Sequence, residues 1–141
     1  MVELYHKSYL YARVAAAKLY IDAHFLEEEI DIDKIASEAC FSKFHFLRLF
    51  KQIYQVTPHQ YVTSLKIRKA KSLLKGGASI TSTYAALGFY SPSSFNKLFK
   101  KHVKIAPSKY ALDANSRYQE IAKNPLSCIP ACFIEYMHWD K

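Results

Sequence analysis

Residues 42–61 read SKFHFLRLFKQIYQVTPHQY and residues 91–110 read SPSSFNKLFKKHVKIAPSKY. Set 49 positions apart, they pair Ser42 with Ser91, Phe46 with Phe95, Arg48 with Lys97, Leu49 with Leu98 and Phe50 with Phe99. The register continues through Lys51 with Lys100, Val56 with Ile105, Pro58 with Pro107 and Tyr61 with Tyr110, and seven of these nine pairs are identical. Upstream, one extra residue in the second copy brings Ile32 onto Ile80, Phe41 onto Phe89 and Cys40 onto Gly88. The chain therefore contains one supersecondary unit twice. Two copies are too few for a solenoid, so they read as a pair of like subdomains.

Each copy reads as a short helix, a turn, a second helix, and then Thr-Pro or Ala-Pro opening the next. Asp31 is placed to cap a helix over 32–39, and Ser42 to cap one over roughly 43–53. In the latter, Phe46, Leu49, Phe50 and Ile53 recur at helical spacing and form a core stripe. Lys43, Phe44, Leu47, Arg48 and Lys51 lie largely off that stripe. In the second copy Phe95, Leu98 and Phe99 turn inward, leaving Ser93, Asn96, Lys97 and Lys100 outward. Each second helix is basic where it meets water.

Between the copies, Pro58 at a first turn and Gly76-Gly77 as a stop bound a helix ending at Lys75. Its eighteen residues span roughly 27 Å at about 1.5 Å each. With the widths of the units added, this approaches one turn of B-DNA, about 34 Å. A further helix is expected over 9–24, with Leu10, Val14, Ala17 and Ile21 on one side. No strand pattern of comparable strength occurs, so the fold class is all-α. The expected organisation is an N-terminal helix on the first unit (1–29), the first helix-turn-helix (30–57), the linker helix (58–76), the second helix-turn-helix (77–112) and a C-terminal tail (113–141).

Lys and Arg number 20 against 12 Asp and Glu, a formal charge of +8, and the excess is concentrated. From Ala39 to Leu112, 74 residues, there is no acid at all but thirteen bases. A solvated surface normally mixes both signs. A segment purged of carboxylates avoids repelling phosphates, which points to a polyanionic partner.

Other classes are excluded more briefly. The only glycines are Gly76, Gly77 and Gly88, so neither a dinucleotide fingerprint nor a P-loop can be written. The longest apolar run, 129–134, is six residues and contains Pro130, far short of a span. Lys7, Arg13 and Lys18 break up any secretory leader, and three scattered cysteines suit a reducing compartment, so the cytosol is the expected location. Cys128, Cys132 and His138 lack good zinc-finger spacing and a fourth ligand. His45 and His59 read as surface or capping residues. No nucleophile, base and orienting acid assemble, so neither catalysis nor a cofactor is expected.

Taken together, IDIDKIA (30–36), S-x-x-x-F-x-R-x-F-K ending at Lys51, TPHQY (57–61), IRKAKSLL (67–74), GF-x-S-x-S-x-F-x-K-x-F-K-K (88–101) and AP-x-x-Y (106–110) resemble the DNA-binding domain of the AraC/XylS transcription regulators. The resemblance covers 30–110. It implies two helix-turn-helix units, each placing one helix in successive major grooves on one face of double-stranded DNA, and a role in transcriptional control, more often activation.

Mapped onto this chain, the base-reading candidates are Lys43, Phe44, Leu47 and Arg48 in the first unit and Pro92, Ser93, Asn96 and Lys97 in the second. The Arg48 fork fits guanine O6 and N7, and Asn96 fits adenine. Phe44 and Leu47 offer only apolar contacts, and burial is the other reading of Leu47. Lys51, Arg68, Lys69, Lys100 and Lys101 are the phosphate candidates. Membranes are excluded as partners, RNA polymerase is a further candidate partner, and the expected state is a monomer or weak dimer.

The chain departs from the family pattern at Cys40, Gln55 and Lys104, where glycine is usual, at Tyr84, where a small residue is usual, and at Thr83, where a larger aliphatic stands. These departures predict a strained first turn and looser packing of the second unit, so that the first unit would bind DNA more dependably. The alternative function is a protein-recruiting adaptor with one degenerate unit and weak non-specific DNA binding. Some 30 residues before the first unit are too few for an effector-binding sensor; the expectation is a small stand-alone regulator, favoured by Met1, or one domain of a longer chain. After Leu112 a helix is expected to continue over 113–122. The aromatic segment 126–139 reads as a cover over the first helix or as a contact patch for a second protomer, RNA polymerase or an effector.

Overall fold

The computed structural model describes residues 2–27, 30–124 and 129. They form α1 (Val2–His24), α2 (Ile32–Glu38), α3 (Lys43–Tyr54), α4 (Pro58–Lys75), α5 (Ile80–Ala86), α6 (Pro92–Val103) and α7 (Pro107–Lys123), with no strand among the described residues. Helix α1 starts at Val2, seven residues before the expected Tyr9. Helix α7 runs unbroken through residue 112 to Lys123, in keeping with the helix expected to continue over 113–122. The segment 126–139 and the set Cys128, Cys132 and His138 lie outside the described helices.

Side chains start most of the helices where the sequence places them. Asp31 accepts the backbone N–H groups of Asp33 and Lys34 at 2.9 and 3.1 Å, and Ser42 accepts that of His45 at 3.3 Å. Thr57 and Gln60 cap each other's backbone reciprocally at 3.2 and 3.0 Å, fixing the start of α4 ahead of Pro58. Ser79 and Ser91 repeat the single cap for α5 and α6. Ala106 offers no such group, and α7 opens on Pro107 alone.

Two cores form, one per unit. The first gathers Val14, Ala17 and Ile21 from α1, Ile32, Ile35 and Ala36 from α2, Phe41 from the turn, Phe46, Leu49 and Phe50 from α3, and Leu65 from α4. The second gathers Ile67, Ala70 and Leu74 from α4 with Leu87, Phe95 and Phe99. The same aromatic ladder stands in each. Phe41–Phe46, Phe46–Phe50 and Phe50–Tyr61 have ring centroids 6.4, 5.8 and 5.8 Å apart, against 5.5, 5.7 and 5.5 Å for Phe89–Phe95, Phe95–Phe99 and Phe99–Tyr110. Phe46, Phe50, Phe95 and Phe99 are fully buried, each stabilising the fold by roughly 1.5–3 kcal/mol relative to exposure.

Helix α4 belongs to both cores. At 3.6 residues per turn, Pro58, Tyr61, Val62 and Leu65 share one face, and Ile67, Ala70 and Leu74 lie roughly 150° away on the other. The repeat also extends further back than the sequence register suggests. Val14, Ala17 and Ile21 of α1 have the same spacing as Ile67, Ala70 and Leu74 of α4, and each set backs onto the helix pair that follows it. Preceding them, Arg13 lies 4.6 Å from the Phe41 ring centroid and Lys66 5.6 Å from that of Phe89. Each unit is thus three helices, α1–α3 and α4–α6.

The second unit is not loosely packed, contrary to the expectation from Thr83 and Tyr84. Thr83 is fully buried, but its hydroxyl donates to the Ser79 carbonyl at 2.8 Å, so no polar group is stranded. Tyr84 swings to the edge of the core with its ring 6.4 Å from that of Phe95.

Candidate nucleic-acid interface

Both helix-turn-helix corners are built alike. After α2, Cys40 N–H donates to Ser37 O at 2.9 Å and Phe41 N–H to Ala36 O at 2.9 Å; after α5, Gly88 and Phe89 donate to Ala85 and Tyr84 at 3.1 and 3.0 Å. This pair of bonds requires a left-handed residue at its centre, and Cys40 (φ 56°) takes it as Gly88 (φ 77°) does. Gln55 and Lys104, at the ends of α3 and α6, are left-handed too, at φ 63° and 72°. The family's glycine geometry is thus kept at all three departures, at a conformational cost for a side chain of roughly 1 kcal/mol each.

The corners aim the N-terminal turns of α3 and α6 outward. Lys43, Phe44 and Arg48 on α3, and Pro92, Ser93, Asn96 and Lys97 on α6, are all exposed. Phe44 is 76% exposed, high for an aromatic with nothing to cover it. Leu47 differs: it is half-buried and packs against the first core, so the burial reading holds for much of its side chain. Lys51, Lys100 and Lys101 lie exposed further along the same two helices, and Arg68 and Lys69 are exposed on α4.

Lys43 is not a free cation. Its ammonium sits 3.0 and 3.1 Å from the two carboxylate oxygens of Asp33 in the first turn of α2. With His59 and Lys66 of α4 it lines an open groove of about 450 Å³, whose other walls include Asp31 and Asp33. Lys66 is half-buried there, and burial pushes its ammonium below the ordinary lysine value. Arg68 lies away from this groove, close enough to Asp22 for its charge to act on that carboxylate.

Two features escaped the sequence reading. Tyr90, the extra residue in the second corner, is 88% exposed immediately before the Ser91 cap. Its position as an insertion between Phe89 and Ser91 was the available signal. The other is the pairing of Asp33 with Lys43, which their ten-residue separation hides. Among the described residues no group of His, Cys, Asp and Glu gathers as metal ligands, and no helix is long and apolar enough to cross a membrane.

The sequence profile of a helix-turn-helix domain family matches residues 35–112, more than half the chain. A crystal structure of a transcriptional regulator with an AraC-type DNA-binding domain, from Chromobacterium violaceum, superposes with a TM-score of 0.65 at 28% identity, covering 73% of this chain and 92% of that one. The chain belongs to the AraC/XylS family. A probable transcription factor, PqrA of Proteus vulgaris, is 37% identical to this AraC-type chain over 84 residues, 59% of this chain and 69% of that protein. A probable transcriptional regulator, LumQ of Photobacterium leiognathi, is 35% identical over 92 residues, 64% of this chain but only 37% of LumQ. The AraC-type domain thus accounts for most of the shorter relative and little more than a third of the longer.

Proposed function

We propose that the chain is a transcription regulator that reads double-stranded DNA sequence-specifically, with α3 and α6 in two successive major-groove segments. The observation that carries this reading is the repeat of one exposed, acid-free helix start on two packed units that share α4. Arg48 takes a guanine edge and Asn96 an adenine edge, with Lys43, Phe44, Pro92, Ser93, Lys97 and the outer part of Leu47 completing the base-facing set. Lys51, Arg68, Lys69, Lys100 and Lys101 neutralise phosphates and fix register. The activity is binding rather than a reaction, and its setting is the cytosol. Activation through contact with RNA polymerase is the regulatory mode that the family favours.

Duplexes selected from a random pool by the full chain, followed by hydroxyl-radical footprinting, test the reading. Two protected segments about one helical turn apart are expected. A single short protected segment, or a pool with no enriched sequence, overturns it. The adaptor alternative loses its motive with the tight packing of the second unit.

A further inference from the structure

Helix α1 is apolar on two sides. Val14, Ala17 and Ile21 enter the first core, while Tyr9, Ala12, Ala16, Leu19, Tyr20 and Ala23 form an exposed strip on the opposite side that contains no charge. Leu19 is 66%, Tyr9 60% and Tyr20 41% exposed. The nearest ionic groups border the strip: Arg13 bonds the Ala39 carbonyl and lies 5.5 Å from the Tyr9 ring centroid, and Lys18 pairs with Asp22 at 2.8 Å.

The fold shows how such a rear face is used. Helix α4 stands to α5 and α6 as α1 stands to α2 and α3, and its own rear face, through Pro58, Tyr61, Val62 and Leu65, carries the first unit. Helix α1 presents the corresponding face to water.

We propose that this strip joins two copies of the chain, their α1 helices antiparallel about a two-fold axis beside Ala16. A two-fold interface must be self-complementary, and about this centre the strip is. Tyr20 falls level with Ala12 of the second copy, Tyr9 with its Ala23, and Ala16 with its Ala16, so large side chains meet small ones and two backbones approach closely where both are alanine. A shallow pocket of about 260 Å³, bordered on α1 by Arg13, Ala16, Ala17 and Tyr20, opens beside the strip and gives the incoming rings depth. The six residues expose on the order of 500 Å² per copy, so a pair buries about 1,000 Å², the lower bound of a specific interface and the mark of a weak dimer. This inference stands independently of DNA reading.

Sedimentation equilibrium of the full chain, without DNA, from about 5 to 500 µM covers the affinities expected of so small an interface. A monomer–dimer equilibrium is expected, with Leu19→Glu raising the dimer dissociation constant at least tenfold while the circular dichroism melt is unchanged. Tyr9→Lys serves if that variant is unstable. In a Cys40→Ser, Cys128→Ser, Cys132→Ser background, Ala16→Cys should cross-link to itself under mild oxidation and Ala23→Cys should not. A chain that stays monomeric throughout, a dimer indifferent to both charge substitutions, or self-cross-linking at position 23 in preference to 16 each overturns the proposal.

Discussion

Asp22, near the end of α1, accepts the hydroxyl hydrogen of Tyr61 on α4, thirty-nine residues away, and so ties the first helix of one unit to the helix shared by both. Lys18 completes the group, bonded to Asp22 and lying 5.0 Å from the Tyr61 ring centroid. Burial opposes the charge on Asp22. Hydrogen bonds from Lys18 and Tyr61, helped by the charges of Lys18 and Arg68, outweigh it and hold the carboxyl below its ordinary value.

The sign of the resulting pH dependence is fixed. A carboxyl whose pKa is lowered by folding stabilises the native state above its unfolded value, near 3.8, and loses that contribution as the pH falls below it. Asp22→Asn should therefore cost about 1–2 kcal/mol in urea denaturation at pH 7. The gap from wild type should narrow as the pH drops below 3.8. A gap that is constant from pH 7 to pH 3 would show that the carboxylate charge contributes nothing.

Cys40 holds a left-handed conformation that glycine adopts freely. Cys40→Gly should raise stability by roughly 0.5–1 kcal/mol without changing DNA affinity. The mirror substitution, Gly88→Ala, should cost a similar amount for conformational reasons alone, since nothing lies within 4 Å of the added carbon. Thermal denaturation of the two variants side by side checks both signs.

Arg48 and Lys100 sit on equivalent exposed faces but are assigned different tasks. Arg48→Ala should cost roughly 1–3 kcal/mol on the preferred duplex and relax preference at one base position. Lys100→Ala should weaken binding to all duplexes alike and reduce the salt slope by about one. Titrations against a panel of single-base variants at two salt concentrations distinguish the roles; equal losses for Arg48→Ala on every duplex would reassign it to phosphate.

The Asp33 carboxylate pairs with Lys43 at the start of α3. Asp33→Asn should free the ammonium and tighten binding to the preferred duplex several-fold, more than to unrelated duplexes. Lys43→Ala should remove that gain in the Asp33→Asn background and matter much less in the wild type. Equal effects of Lys43→Ala in both backgrounds would mean that the pair opens on DNA at no cost.

The sequence carried the helix starts because each rests on a local bond: Ser42 to His45 and Thr57 to Gln60 are three residues apart, within reach of pattern reading. The aromatic ladder was legible for the same reason. The kinship of α1 with α4 was not. Ile21 to Ile32 is five residues longer than Leu74 to Ile80, so a register fixed on the reading helices slides out of alignment before it reaches α1. Leu47 marks another boundary, since a residue at the edge of a core stripe is buried or exposed according to packing that its spacing does not encode. Thr83 was misjudged although the partner of its hydroxyl, the Ser79 carbonyl, is only four residues back: a helical threonine can satisfy itself locally, and its burial need not loosen the core.

Leu65 and Ile67 are separated by a single residue, yet each is anchored in a different half of the molecule. No stretch of α4 between the halves is left over to serve as a flexible joint. Inserting one residue there would swivel one half against the other by roughly 100° while lengthening the rod by only about 1.5 Å. On the proposed reading of DNA, the distance between the two half-sites is locked to their phase around the duplex, and a regulator of this build could adopt a wider operator only by gaining whole helical turns.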